Sequence, residues 1–211
     1  MRNTFCRAAL LLLVALPAGA QSDPASLPAR DAHDGLTIAA DPYTDAARYK
    51  TRFGKKTPYD AGIVAIEVFF RNDNDKPIRV DLETIRLLLR PPGADRQRLD
   101  ALTLEEVADR ILNKGGPNPT ARRRPIPVPG GGAKPRKGKE WDELVAALRK
   151  AAVETDVLPP RSSVHGFLFF DIGSRYDWVP YARLYIPDLK FMTDNKPLLF
   201  FELDLGAARP R

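Results

Sequence analysis

From Ile63 to Arg71 the chain alternates without a break: Val64, Ile66, Val68 and Phe70 fall on one side of an extended backbone, and Ile63, Ala65, Glu67, Phe69 and Arg71 on the other. Successive side chains of a strand point to opposite faces, so this run has one wholly apolar face and one mixed face. It predicts a half-buried antiparallel strand. Asn72-Asp73-Asn74-Asp75-Lys76-Pro77 then supplies turn chemistry, and Ile78, Val80 and Leu82 resume the period of two, which makes a hairpin. Ile85, Leu87 and Leu89 continue it until Pro91-Pro92-Gly93 stops it. Leu36–Ala40, Val164–Asp171, Ala182–Ile186 and Leu198–Leu205 are further strand segments, while residues 43–61 read as a polar connection folded onto the body by Tyr43, Tyr49, Phe53 and Tyr59.

Two stretches break this rhythm. Leu104, Val107, Ile111 and Leu112 recur at helical spacing behind Thr103, with Glu106 at the capping-box position. Trp141, Leu144, Val145 and Leu148 repeat the spacing through Ala152, with Glu140, Asp142 and Glu143 at the start and Arg149 and Lys150 at the end, where a helix dipole favours them. The strand-bearing stretches 36–90 and 157–205 together come to about the 100 residues of an immunoglobulin-like sandwich. A parallel α/β sheet would need a helix between nearly every pair of strands. The expected fold is therefore mainly β: an immunoglobulin-like antiparallel β-sandwich, residues 35–211, with a pair of α-helices inserted at about 100–155, at one edge or end, and joined by a disordered basic loop, 114–139.

The stretch from Gly62 to Ile78, a hydrophobic strand followed by an Asn-rich turn and a Pro-Ile strand, resembles a signature of secreted bacterial immunoglobulin-like domains of the DUF4352-like type. Leu158-Pro159 and Val164-His165-Gly166-Phe167-Leu168-Phe169-Phe170 are similar to the strand of their second half. The resemblance spans about half of the chain beyond residue 20, and the helical pair departs from its pattern. It implies an extracytoplasmic binding or accessory module and transfers no catalytic residue.

The N-terminus points to the same compartment. Arg2 and Arg7 precede an apolar run from Ala8 to Leu16, and Pro17 and Ala18-Gly19-Ala20 follow, the three-part pattern of a secretory signal peptide cleaved after Ala20. The run is shorter than the roughly 20 residues that cross a bilayer as a helix, so no transmembrane segment is expected. Residues 21–34 read as a disordered leader. The single cysteine, Cys6, leaves with the signal, which excludes disulfides, a thiolate nucleophile and thiolate metal ligands from the mature chain.

The formal charge of +6 is concentrated in one place. Between Lys114 and Lys139 lie eight cations and no acid, with six prolines and six glycines, a composition that cannot pack. Arg122, Arg123, Arg124, Lys134, Arg136 and Lys137 are a candidate polyanion-binding set, because counterion release favours such contacts without regard to sequence. The competing reading is a solvated linker, which the lack of aromatic residues to stack on bases favours; no nucleic acid is expected.

Groups able to do chemistry are few. His33 lies in the leader, and His165 stands alone on a strand without the partners of a zinc site. Asn72, Asp73, Asn74 and Asp75 offer oxygen ligands but lack the calcium-loop pattern and serve a turn better. Glu67, Glu202 and Asp204 are the acids that a carbohydrate-active hydrolase would have to pair. The segment Ser174–Tyr181 holds the candidate ligand-binding residues Arg175, Tyr176, Trp178 and Tyr181, whose aromatic faces suit a sugar ring or a protein partner, against a rival role in covering the end of the core. Neither Gly-rich stretch fits a phosphate loop. The sequence thus predicts a non-enzymatic exported binding or accessory protein, without catalytic residue, metal or cofactor, acting on an unknown protein or cell-envelope component. A hydrolase and a polyanion binder working through the basic loop are the alternatives.

Overall fold

A computed structural model describes residues 26–113, 138–153 and 155–208. The expected signal peptide 1–20, the start of the leader and the basic set Arg122, Arg123, Arg124, Lys134, Arg136 and Lys137 lie outside the described residues.

The strands are β1 (Arg30–His33), β2 (Leu36–Tyr43), β3 (Ile63–Asn72), β4 (Ile78–Val80), β5 (Arg86–Leu89), β6 (Gln97–Asp100), β7 (Val157–Leu158), β8 (Ser162–Asp171), β9 (Ala182–Ile186), β10 (Leu189–Phe191) and β11 (Phe201–Asp204). The helices are α1 (Ala46–Phe53), α2 (Leu104–Leu112) and α3 (Lys139–Ala151). The strands form three antiparallel sheets, ordered β1-β2-β3-β8, β10-β4-β7 and β11-β9-β5-β6. The protein is mainly β and sandwich-like.

The apolar face read from Val64, Ile66, Val68 and Phe70 is the inner face of the first sheet. It packs with Leu168 and Phe170 of β8 against Ile78 and Val80 of the second sheet and Leu87, Leu184, Ile186, Phe201 and Leu203 of the third. Burial of these side chains is the main favourable term of the fold.

The other face of β3 is not half-exposed as its mixed composition suggests. Ile63, Ala65, Phe167 and Phe169 meet Tyr49 of α1, Val107 and Ala108 of α2, and Val145, Leu148 and Ala151 of α3 in a second apolar cluster. The helices therefore lie flat on the first sheet and bury it from behind, rather than hanging at an edge or end of the sandwich. Thr103 and Glu106 form the expected capping box on α2, and the Trp141 indole N–H donates to Asp109 at 2.8 Å, joining α3 to α2.

Two segments differ from their sequence reading. Residues 30–33, assigned to the disordered leader, pair with β2 as β1, turning through Asp34 (φ 51°) and Gly35 (φ 70°). Asp-Gly is the dipeptide that a tight hairpin needs, because both turn residues adopt positive φ. His33 consequently stacks on Phe201, with ring centroids 3.7 Å apart, across the open edge of the sandwich. The connection 43–61 contains α1, capped by Asp45, whose carboxylate accepts from the backbone N–H groups of Ala47 and Arg48.

Tyr49, fully buried on α1, completes the hydrogen bonding where β2 leaves β3. Its hydroxyl accepts from the Ala65 N–H at 2.7 Å and lies 3.0 and 3.1 Å from the carbonyls of Tyr43 and Ile63, and burial pushes its pKa well above the usual tyrosine range. Tyr49→Phe leaves a buried N–H without its acceptor, and a loss of about 1–3 kcal/mol in urea unfolding is expected. An unchanged unfolding midpoint would show that this hydroxyl is dispensable.

Candidate binding surface

The segment singled out in the sequence forms a 3-10 turn, Tyr176–Tyr181, entered through Gly173 (φ 58°) and Ser174 (φ 65°). Its four candidate residues separate. Tyr176 turns inward: its ring stacks on Tyr59 at 4.4 Å, and its hydroxyl lies 3.0 and 3.1 Å from the carbonyls of Tyr59 and Ile63. Burial, reinforced by the neighbouring Tyr49, raises its pKa. Trp178 packs half-buried against the main core, and the Arg175 guanidinium lies 3.9 Å above its ring while its Nε donates to the Ile172 carbonyl at 3.2 Å. Tyr176 and Trp178 thus cover the core, with the exposed Arg175 laid over the Trp178 ring.

Tyr181 is placed differently. Its carbonyl accepts from the Arg90 N–H at 3.1 Å, extending the β5–β9 ladder by one pair. Ala182, Leu184 and Ile186 of β9 are fully buried, so alternation sends Tyr181, Arg183 and Tyr185 to the outer face of the third sheet. Tyr181 is 42% exposed there. Phe200, 51% exposed, lies 5.5 Å from Tyr185, next to the exposed Leu199.

The same face carries a definite charge pattern. Arg183 pairs with Glu202 at 2.5 Å and Arg86 with Asp100 at 2.6 Å. Asp204 accepts from the Gly206 N–H at 2.9 Å. Leu88 sits beside Arg183 and Arg98 in register, and Arg90 flanks Tyr181. Arg90 and Arg98 are exposed and belong to none of the described ion pairs. Sequence reasoning marked Tyr181 but missed Arg90, Arg98, Tyr185 and Phe200, since only the register of three strands places them side by side.

The acids weighed for hydrolysis are not brought together. Glu67 lies on the helix-bearing face of the first sheet, whereas Glu202 and Asp204 lie on β11 of the third and are engaged as described. Glu67 does meet His165, whose Nδ1 is 3.5 Å away, and accepts from the Tyr43 hydroxyl at 3.1 Å. Burial and the Glu67 charge raise the Tyr43 pKa. Arg48 grips Asp41 through both terminal nitrogens, at 3.2 and 2.7 Å, and lies 3.9 Å over the Tyr43 ring. His165 also stacks on Phe69, so it is held as a part of the sheet surface. No three His, Cys, Asp or Glu side chains among the described residues are arranged to hold a metal ion.

The turn 72–75 ties loops together. The fully buried Asn72 amide donates toward the carbonyls of Lys76, Leu158 and Pro159 at 2.9, 3.2 and 3.0 Å, and its Oδ1 accepts from the Asn74 N–H at 3.0 Å. Asp75 accepts from Arg161 at 2.8 Å, and this contact holds the Asp75 carboxyl below its usual range. A depressed folded value stabilises the fold above the unfolded aspartate value of about 3.9, and that contribution disappears as pH falls through the folded value. NMR titration of Asp75 should give a midpoint below the ordinary aspartate value of about 3.9, returning to it in Arg161→Gln; identical midpoints in the two proteins would refute the pairing.

Comparison with known proteins adds little to this. No family model matches the chain, and no curated protein matches it. Among solved structures, it is similar to a functionally unknown protein from Listeria monocytogenes EGD-e, with 12% sequence identity, covering 75% of this chain and 68% of that one, at a TM-score of 0.34. A likeness of that extent carries no argument about fold or function. Among the described residues no helix is long and apolar enough to cross a membrane.

Proposed function

We propose that this is an exported immunoglobulin-like sandwich, of the DUF4352-like type and carrying an inserted helical pair, that acts as a binding or accessory module on a cell-envelope component rather than as an enzyme. The observation that supports this reading is the placing of Tyr181, Tyr185 and Phe200 on the outer face of the third sheet, a face that the described helices do not cover. Grouped exposed apolar side chains on a folded protein mark a place of contact. The signal-peptide pattern at residues 1–20 supports a location for that contact outside the cytoplasm.

Two measurements test it. Mass spectrometry of protein expressed with its native N-terminus should find a chain beginning at Gln21, and retention of residues 1–20 would argue against export. Co-sedimentation of that chain with bacterial envelope preparations should fall at least about tenfold in the Tyr181→Ala/Phe200→Ala variant, because aromatic anchors dominate contact energies. Equal sedimentation of the variant, with an unchanged melting temperature, would remove this face from the function.

A further inference from the structure

The outer face of the third sheet holds more than aromatic rings, and its charges say what kind of ligand it takes. Side chains two apart on one face of a strand are about 6.6–6.8 Å from each other, so Tyr181 and Tyr185 stand roughly 13 Å apart along β9 with Arg183 between them. Neighbouring strands add Arg90 beside Tyr181 and Arg98 one strand beyond Leu88. The surface is an open sheet, whereas a compact small molecule is held in a concave site. Its geometry suits an extended chain lying along or across β9.

The charge pattern is selective. Glu202 and Asp100 neutralise Arg183 and Arg86, which leaves Arg90, beside the exposed Tyr181, and Arg98, beyond Leu88, outside the described ion pairs of this face. A guanidinium presents a planar fork that matches a carboxylate through two parallel hydrogen bonds. The acids Asp100, Glu202 and Asp204 on the same face oppose a polymer charged at every unit, such as a nucleic acid, but tolerate one whose carboxylates meet only the two open arginines.

Resting on the binding-module reading, we infer that the ligand of this face is an acidic polysaccharide: uronate carboxylates are taken by Arg90 and Arg98, and a sugar ring lies against Tyr181. Arg183 and Tyr185 border the path, and Phe200 extends its apolar strip.

The test uses the whole mature chain with Lys114, Arg122, Arg123, Arg124, Lys134, Arg136, Lys137 and Lys139 replaced by Gln, so that the basic segment carries no cation. Affinity electrophoresis in partly methyl-esterified pectin, whose free carboxylates are spaced along the chain, is expected to retard the protein, and retardation should weaken as sodium chloride rises from about 0.05 to about 0.5 M. The Arg90→Gln/Arg98→Gln variant and the Tyr181→Ala variant should each bind about tenfold more weakly, while Lys190→Gln, an exposed cation of another sheet, should bind as the parent does. Equal retardation by fully methyl-esterified pectin or dextran, tighter binding to oligo-dT, or no loss in the arginine variant would each overturn the inference. If envelope sedimentation requires Tyr181 and Phe200 but is indifferent to Arg90→Gln/Arg98→Gln, the acidic ligand falls and the module reading stands. If neither change affects sedimentation, both fall.

Discussion

Asn72→Asp is expected to destabilise the protein by about 3–5 kcal/mol, with Asn72→Ala close behind at about 2–3 kcal/mol. The wild-type amide donates into a group of three carbonyls, from Lys76, Leu158 and Pro159, and accepts from the Asn74 N–H, all at a position with no solvent exposure. This one side chain joins the end of β3 to the approach to β8, segments more than eighty residues apart in sequence. An aspartate keeps the shape but turns a donor into a buried charge facing carbonyl oxygens. Alanine removes the donor and leaves those carbonyls without it. Urea unfolding followed by tryptophan fluorescence measures both, and a loss below about 1 kcal/mol for Asn72→Asp would mean that water reaches the site.

Gly166→Ala should cost about 2–4 kcal/mol, although it adds one methyl group. A Cβ built at Gly166 would lie 2.5 Å from the Ala152 carbonyl carbon and the Val153 nitrogen, and 2.6 Å from the Ala152 oxygen. All three of these atoms are backbone, so no side chain can swing away. The close approach exists because the chain leaving α3 lies against β8: Ala152 bridges Phe167, and the Val153 N–H donates to the Phe167 carbonyl at 3.4 Å. The Leu102 N–H donates to the Phe169 carbonyl at 2.8 Å on the same edge. These straps cover part of what would otherwise be an unpaired sheet edge. Hydrogen exchange at Val153 and through α3 should accelerate in Gly166→Ala, while the β5–β9 pair keeps its protection. A variant as stable as the parent, with unchanged exchange in α3, would contradict the packing of that helix on the sheet.

Several features were legible in the residues because they depend only on near neighbours. The alternation of Val64, Ile66, Val68 and Phe70 located the main core, and the Thr103–Glu106 spacing located the start of α2. The turn at Asn72–Pro77 was visible from its composition, although the burial of Asn72 was not. Asp34-Gly35 is a hairpin signal readable from the dipeptide alone, at the boundary of a stretch whose polar composition suggests a leader. The site was less legible still. Tyr176, Trp178 and Tyr181 look alike in a polar segment, yet one turns half-buried into an aromatic cluster, one covers the core and one reaches the outer face of a sheet.

By itself, then, the amino-acid order determined which stretches are extended, where two of the helices begin, and that the single cysteine, Cys6, allows no disulfide between residues of this sequence. Local backbone preference and side-chain period require nothing beyond adjacent residues. Tertiary structure alone decided that the helices cover the second face of the first sheet, that Glu67 faces His165 rather than Glu202, and that Arg90, Arg98, Tyr181 and Tyr185 share a surface. Such neighbourhoods depend on strand order and register, and a shift of one residue would send every one of those side chains to the opposite face.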